Sequence, residues 1–165
     1  MTITLRPKPL TRERFAPYGD VIEAAADHRT PMNAARFERF DHLCEVDLPH
    51  QGRAAVSIAR CRVATSLPYR IDRVERHPHG SQAFVPLAPC RIVIVVAPPA
   101  EMVVAEELQA FETNGRQGVN YHRGTWHMPL IAFEEGQEFL IVDRAADGPN
   151  CDEHWLDEPV MLVES

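Results

Sequence analysis

Apolar positions fall in short bursts along most of the chain. From Ala54 onward the bursts "AAVSIARC" (54–61), "PYRIDRVERH" (68–77), "QAFVPL" (82–87) and "RIVIVVA" (91–97) are rich in Val and Ile and separated by Pro, Gly or Ser, which is the signature of short strands. "LQAFETNG" ends in Asn114-Gly115, a tight-turn pair. "HMPLIAFEEGQEFLIVDR" reads as strand, turn and strand, and "PVMLVE" as a last strand. Upstream, "LTRERFAPYGDVIE" predicts a short helix capped by Thr11 and stopped by Pro17 and Gly19, then a short strand at Val21 and Ile22. "HRTPMNAARFERF" predicts a loop leading into a strand or turn. Fourteen prolines spread along the chain argue against long helices. The pattern therefore predicts a mainly all-β, antiparallel sandwich or barrel with a few short helices, in one domain over residues 1–165. In a small barrel alternate residues face inward, so polar residues in mid-strand line an interior pocket.

Length and composition sharpen this picture. At 165 residues, 45% hydrophobic and 25% charged, the chain can bury a sizeable core. A net charge of −7 argues against nucleic-acid and anionic-membrane partners, and it means that an anionic substrate needs a local positive site. The longest apolar run, "IVIVVAPPA" (92–100), is too short to span a bilayer. "MTITLRPKPL" lacks the apolar core of a secretory signal. Cys44, Cys61, Cys90 and Cys151 form no CxxC pair, so reduced, mostly buried thiols and a cytoplasmic location are expected.

Two clusters carry candidate chemistry. In "RVERHPHGSQAF", residues two apart share one strand face, so Arg73, Glu75, His77 and His79 can point together with Gln82 close behind. Imidazoles and an amide oxygen suit a divalent transition metal. In "GVNYHRGTWHMPL", Gly124 permits a turn that brings His122 and His127 toward one point, with Asn120, Tyr121 and Arg123 beside them. Trp126, Met128 and Leu130 read as core or rim packing. "VDRAADGPNCDEHW" reads as a strand end, with Asp143 and Arg144 closing an apolar strand before a Gly148-Pro149-Asn150 turn. His28, His42, His50 and His154, each isolated on a polar stretch, read as surface residues.

These clusters resemble the double motif of the cupin superfamily. His77, His79 and Gln82 stand in its first half, with Gln in the usual Glu place and closer to His79 than usual, and "HRGTWH" stands in its second. More closely, "ERHPHGSQAFVPL", "GVNYHRGTWHMPLIAF", "FLIVDR" and "NCDE", with "FAPYGDVIE" near the start, resemble the ureidoglycolate lyase family. The resemblance implies a cupin-type β-barrel or jelly roll, a homodimer, and cleavage of (S)-ureidoglycolate to glyoxylate and urea in allantoin and purine degradation. It also implies a divalent metal ion, with nickel first and manganese or zinc as alternatives. Under that reading His77, His79, Gln82 and His127 are the expected metal ligands. Cleavage needs a hydroxyl proton removed and a proton given to the leaving urea, which makes His122, Tyr121 and Glu75 the expected acid and base groups. Arg73, Arg76 and Arg123 are the expected carboxylate partners, and Asn120 and Gln82 the expected readers of the urea group. Composition and spacing alone leave open another metal-dependent cupin enzyme, such as a dioxygenase or isomerase, and a non-catalytic barrel that binds a small acid.

Overall fold

In a computed structural model, which describes residues 2–25, 29–49 and 51–165, the chain is mainly β. Two sheets face each other. The first has seven strands, in the order β1 (Ile3–Leu5), β14 (Asp152–Leu162), β7 (Tyr69–Arg76), β12 (Trp126–His127), β9 (Val93–Ala97), β10 (Gln109–Glu112) and β2 (Lys8–Pro9). The second has five, in the order β3 (Gly19–Ile22), β11 (Gly118–Tyr121), β8 (Gln82–Pro86), β13 (Glu138–Ala145) and β6 (Arg53–Arg60). A separate hairpin joins β4 (Arg29–Met32) and β5 (Phe37–Phe40). Among the described residues, helix is confined to α1 (Arg12–Phe15) and a 3₁₀ turn (Ala105–Glu107). This is the expected mainly-β barrel with a few short helices, and it fits a cupin jelly roll.

Several local expectations hold. The Thr11 hydroxyl accepts a hydrogen bond from the Arg14 amide and caps α1. The apolar run of β9 is buried on both faces: Val93, Val95 and Ala97 enter one core, while Ile94 and Val96 enter the core between the sheets. That second core holds Phe15, Phe111, Val119 and Tyr121. Phe15 meets Phe111 edge-on at 5.8 Å and Tyr121 at 6.3 Å, a favoured arrangement of aromatic rings. Trp126 and Met128 are core residues, as read.

Other expectations need correction. β1 pairs with β14 and β2 with β10 in parallel, because the N-terminal segment lies along strand edges that no hairpin reaches. Residues 128–133 form no regular strand, since Pro129 removes a ladder donor there. The last strand begins at Asp152, well before "PVMLVE", and Pro159 is accommodated where its pairing with β7 shifts between Trp155 and Val160. The cysteines are free, yet three are only half-buried and Cys151 is exposed. His42 is exposed, but His154 is half-buried against the edge of Trp126; His28 and His50 lie outside the described residues. No helix among the described residues is long and apolar enough to cross a membrane.

The register places the polar side chains. Tyr121 pairs with Gln82, and Val119 with Phe84, so all four face the interior. A Cβ on Gly118 would lie 2.6 Å from the Phe84 carbonyl oxygen, so β11 can approach β8 this closely only with glycine there. On the opposing sheet His127 pairs with Glu75 and with Val96. The interior faces of β7 and β12 thus meet those of β11 and β8 around one polar cluster.

Candidate active site

Glu75 from β7, His77 just beyond it and His127 from β12 form the centre of that cluster. One donor atom from each lies within 4.8 Å of the others. The two imidazoles are held in the same way. His127 Nδ1 lies 3.0 Å from the Thr125 carbonyl oxygen, and His77 Nδ1 lies 2.6 Å from the Asn150 carbonyl oxygen. A carbonyl only accepts, so each Nδ1 carries a proton and donates it. Each Nε2 lone pair is then aimed into the cluster.

His127 is 2% exposed, and its Nε2 has no hydrogen-bond partner. Glu75 Oε1 lies 3.5 Å from it, an ion-pair distance rather than a hydrogen bond. When the His127 imidazole is protonated it holds the Glu75 carboxyl below the ordinary carboxylate range despite partial burial, with His77 and Arg73 adding to the effect. His77 Nε2 lies 3.0 Å from Gln82 Oε1. With Nδ1 protonated, two lone pairs share that space, and a cation between them satisfies both. Gln82 Nε2 donates to Asp143 Oδ2 at 3.3 Å, which fixes the amide oxygen toward His77. Two pinned imidazoles, a carboxylate and an amide oxygen form a donor set that fits a divalent transition ion.

Tyr121 stacks on His127 with ring centroids 4.3 Å apart. Burial, reinforced by Glu75, pushes its phenol far above the ordinary range, so it stays protonated as a donor. Arg73 shares the Glu75 face of β7 and pairs with Glu153 Oε1 at 2.7 Å. The exposed Cys151 thiol lies 3.9 Å from Glu75 Oε2, and partial burial together with the surrounding carboxylates pushes its pKa up.

The remaining expected residues lie elsewhere. His79 follows Pro78 into an exposed turn; its backbone amide donates to Asn150 Oδ1, and its ring is outside the cluster. Arg76 points to the other face of β7, where it lies over the Trp126 ring and pairs with Asp152. Asn120 faces away from Tyr121 and donates to Asp20 Oδ2 and the Glu45 carbonyl. His122 Nε2 lies 3.1 Å from the same Asp20 oxygen, and Arg123 pairs with Asp47. His122 and Arg123 line an outer cleft of about 410 Å³ together with His42 and Ser81. The turn they belong to still supports the cluster, because the Gly124 amide donates to the His77 carbonyl.

Asp143 and Asn150 are the site residues that the strand-end reading missed. The signal was present in strand alternation, which carries the inward face of β13 through Ile141 to Asp143. The contacts of Asn150 depend on a turn that no periodicity predicts.

A sequence model described as ureidoglycolate lyase matches residues 2–163. The chain is similar to a ureidoglycolate lyase of Pseudomonas syringae pv. syringae, 46% identical over 157 residues, which cover 94% of this chain and 92% of the relative. It is also similar to ureidoglycolate lyases of Pseudomonas putida and Pseudomonas aeruginosa. Each is 45% identical over 161 residues, which cover 97% of this chain and 96% and 95% of the relatives.

The donor set predicts that His127→Ala and His77→Ala lose stoichiometric binding of nickel or manganese in isothermal titration calorimetry. His79→Ala should bind as the unsubstituted protein does. Equal loss in all three variants would contradict the ligand assignment.

Proposed function

The chain belongs to the ureidoglycolate lyase family, and from that membership we propose that it cleaves (S)-ureidoglycolate to glyoxylate and urea at the Glu75–His77–His127 cluster, in the breakdown of allantoin and purines for nitrogen. The observation that carries the siting is the buried, unpartnered Nε2 of His127 facing Glu75. The ligands would be His77, His127, Glu75 and the Gln82 oxygen, holding a divalent ion such as nickel, manganese or zinc. Held there, such an ion would supply Lewis acidity toward a bound hydroxyl.

The substrate carbon bears a hydroxyl, a carboxylate and a urea nitrogen. The hydroxyl loses its proton, the C–N electron pair leaves with the urea nitrogen, and that nitrogen gains a proton. Glu75 Oε2, the carboxylate oxygen turned away from His127, is placed to take the first proton while Oε1 faces the ion site. The Tyr121 phenol is the donor to the departing nitrogen. Arg73 supplies the cation for the substrate carboxylate, exchanging Glu153 for it. We assign His122, Asn120 and Arg123 to holding the turn behind His77, rather than to proton transfer, urea reading and carboxylate binding respectively, since Asp20 and Asp47 bind them on the outer side of β11.

A homodimer is supported by β6, whose outer strand edge is unpaired among the described residues and whose Val56 and Ile58 are 67% and 61% exposed. Sedimentation equilibrium should give twice the 18.6 kDa chain mass, and a monomer that is fully active would contradict this part of the reading.

Purified protein should release urea and glyoxylate in equal amounts from (S)-ureidoglycolate, and chelation should abolish release until nickel or manganese is restored. Tyr121→Phe should lower kcat by about 10²–10⁴-fold, the usual contribution of one placed acid. Release that withstands exhaustive chelation would remove the metal, and an unchanged kcat would remove Tyr121.

A further inference from the structure

We propose that Asp143 recognises the ureido group of the substrate and so sets specificity for a urea leaving group; this rests on the lyase reading above. Asp143 lies on β13, two residues beyond Ile141, which pairs with the inward-facing Phe84. Alternation puts its carboxylate on the interior face beside Gln82, and Gln82 Nε2 donates to its Oδ2. The amide oxygen of that same Gln82 faces His77. One hydrogen-bonded step therefore separates Asp143 from the cluster where the C–N bond is to break.

The chemistry of the carboxylate fits this role. Among the described residues, no arginine, lysine or histidine forms an ion pair with Asp143. A half-buried carboxylate with one long amide bond retains unused acceptor capacity. Directly opposite on β6 stands Ala55, a small side chain with no polar group to occupy the carboxylate. A ureido group presents two nearly parallel N–H donors, the pattern that carboxylates bind with both oxygens in guanidinium pairs. Arg73 belongs to the facing sheet. A substrate with its carboxylate at Arg73 and its ureido end at Asp143 would span the two sheets, with the reacting carbon at Glu75, His77 and His127. The other carboxylate of the cluster, Glu75, is already engaged with His127 and Cys151.

The test uses the full-length protein loaded with nickel and two probes in isothermal titration calorimetry. N-Carbamoylglycine keeps the carboxylate and the ureido group but lacks the hydroxyl. Glycolate keeps the carboxylate and the hydroxyl but lacks the ureido group. Asp143→Asn retains an acceptor for Gln82 while adding a donor where the ureido donors would sit. It should weaken N-carbamoylglycine binding about 10- to 100-fold, the range for lost hydrogen bonds to a charged group, and leave glycolate binding within about 2-fold. If that variant does not fold, Asp143→Ser, which keeps a hydroxyl acceptor for Gln82 but loses the carboxylate, should give the same split. Unchanged N-carbamoylglycine binding would overturn the proposal. Equal weakening of both probes would also overturn it, because Asp143 would then act only by holding Gln82. The split is read without turnover, so its failure is distinct from a failure of the lyase reading, which product release reports.

Discussion

The site depends on two backbone carbonyls. Thr125 O and Asn150 O each accept the Nδ1 proton of an imidazole, and by doing so they turn the Nε2 lone pairs of His127 and His77 toward Glu75. Neither histidine could hold that orientation on a solvated loop, where water would compete for both nitrogens. The barrel removes the competition. His127 is buried beneath the Tyr121 ring, and the Asn150 turn closes over His77 from the far end of β14. The aromatic packing of Phe15, Phe111 and Tyr121 between the sheets keeps β11 facing β12. The same packing that stabilises the fold therefore fixes the angle of the His127 ring.

Electrostatics follow from this arrangement. A chain of net charge −7 must still attract a carboxylate substrate. A cluster of two imidazoles and Arg73 beside a carboxyl held ionised can bind a cation, and a bound cation reverses the local sign. Tyr121 lies on the opposite side of the balance: buried next to Glu75, it keeps its proton and can give it only to a group that develops negative charge nearby. Environment thus pushes the two groups apart, the Glu75 carboxyl down and the Tyr121 phenol up.

Much of this was legible in the sequence. The Val- and Ile-rich bursts located most of the strands, Thr11 marked the helix cap, and alternation through Glu75 and His77 put both on one face. The resemblance of "ERHPHGSQAFVPL" and "GVNYHRGTWHMPLIAF" to one family is matched by the relatives. Spacing failed where the backbone leaves regular geometry. His-x-His suggested two ligands, but His79 lies in the turn after Pro78, and the group whose donor atoms come together is Glu75, His77 and His127. His122 lies one residue beyond Tyr121, and on a strand one residue is the difference between the interior and the outer cleft. Asp143 sat at an apparent strand end, whose inward face emerges only once β13 is aligned on β8.

The most direct test of the central claim is anomalous diffraction from crystals of the protein grown with nickel and collected at the nickel absorption edge. One full-occupancy peak is expected at the Glu75–His77–His127 cluster, next to His77 Nε2, His127 Nε2 and a Glu75 oxygen. A peak bound instead by His79 or by the Asp20–His122 pair, with the Glu75 cluster unoccupied, would contradict it.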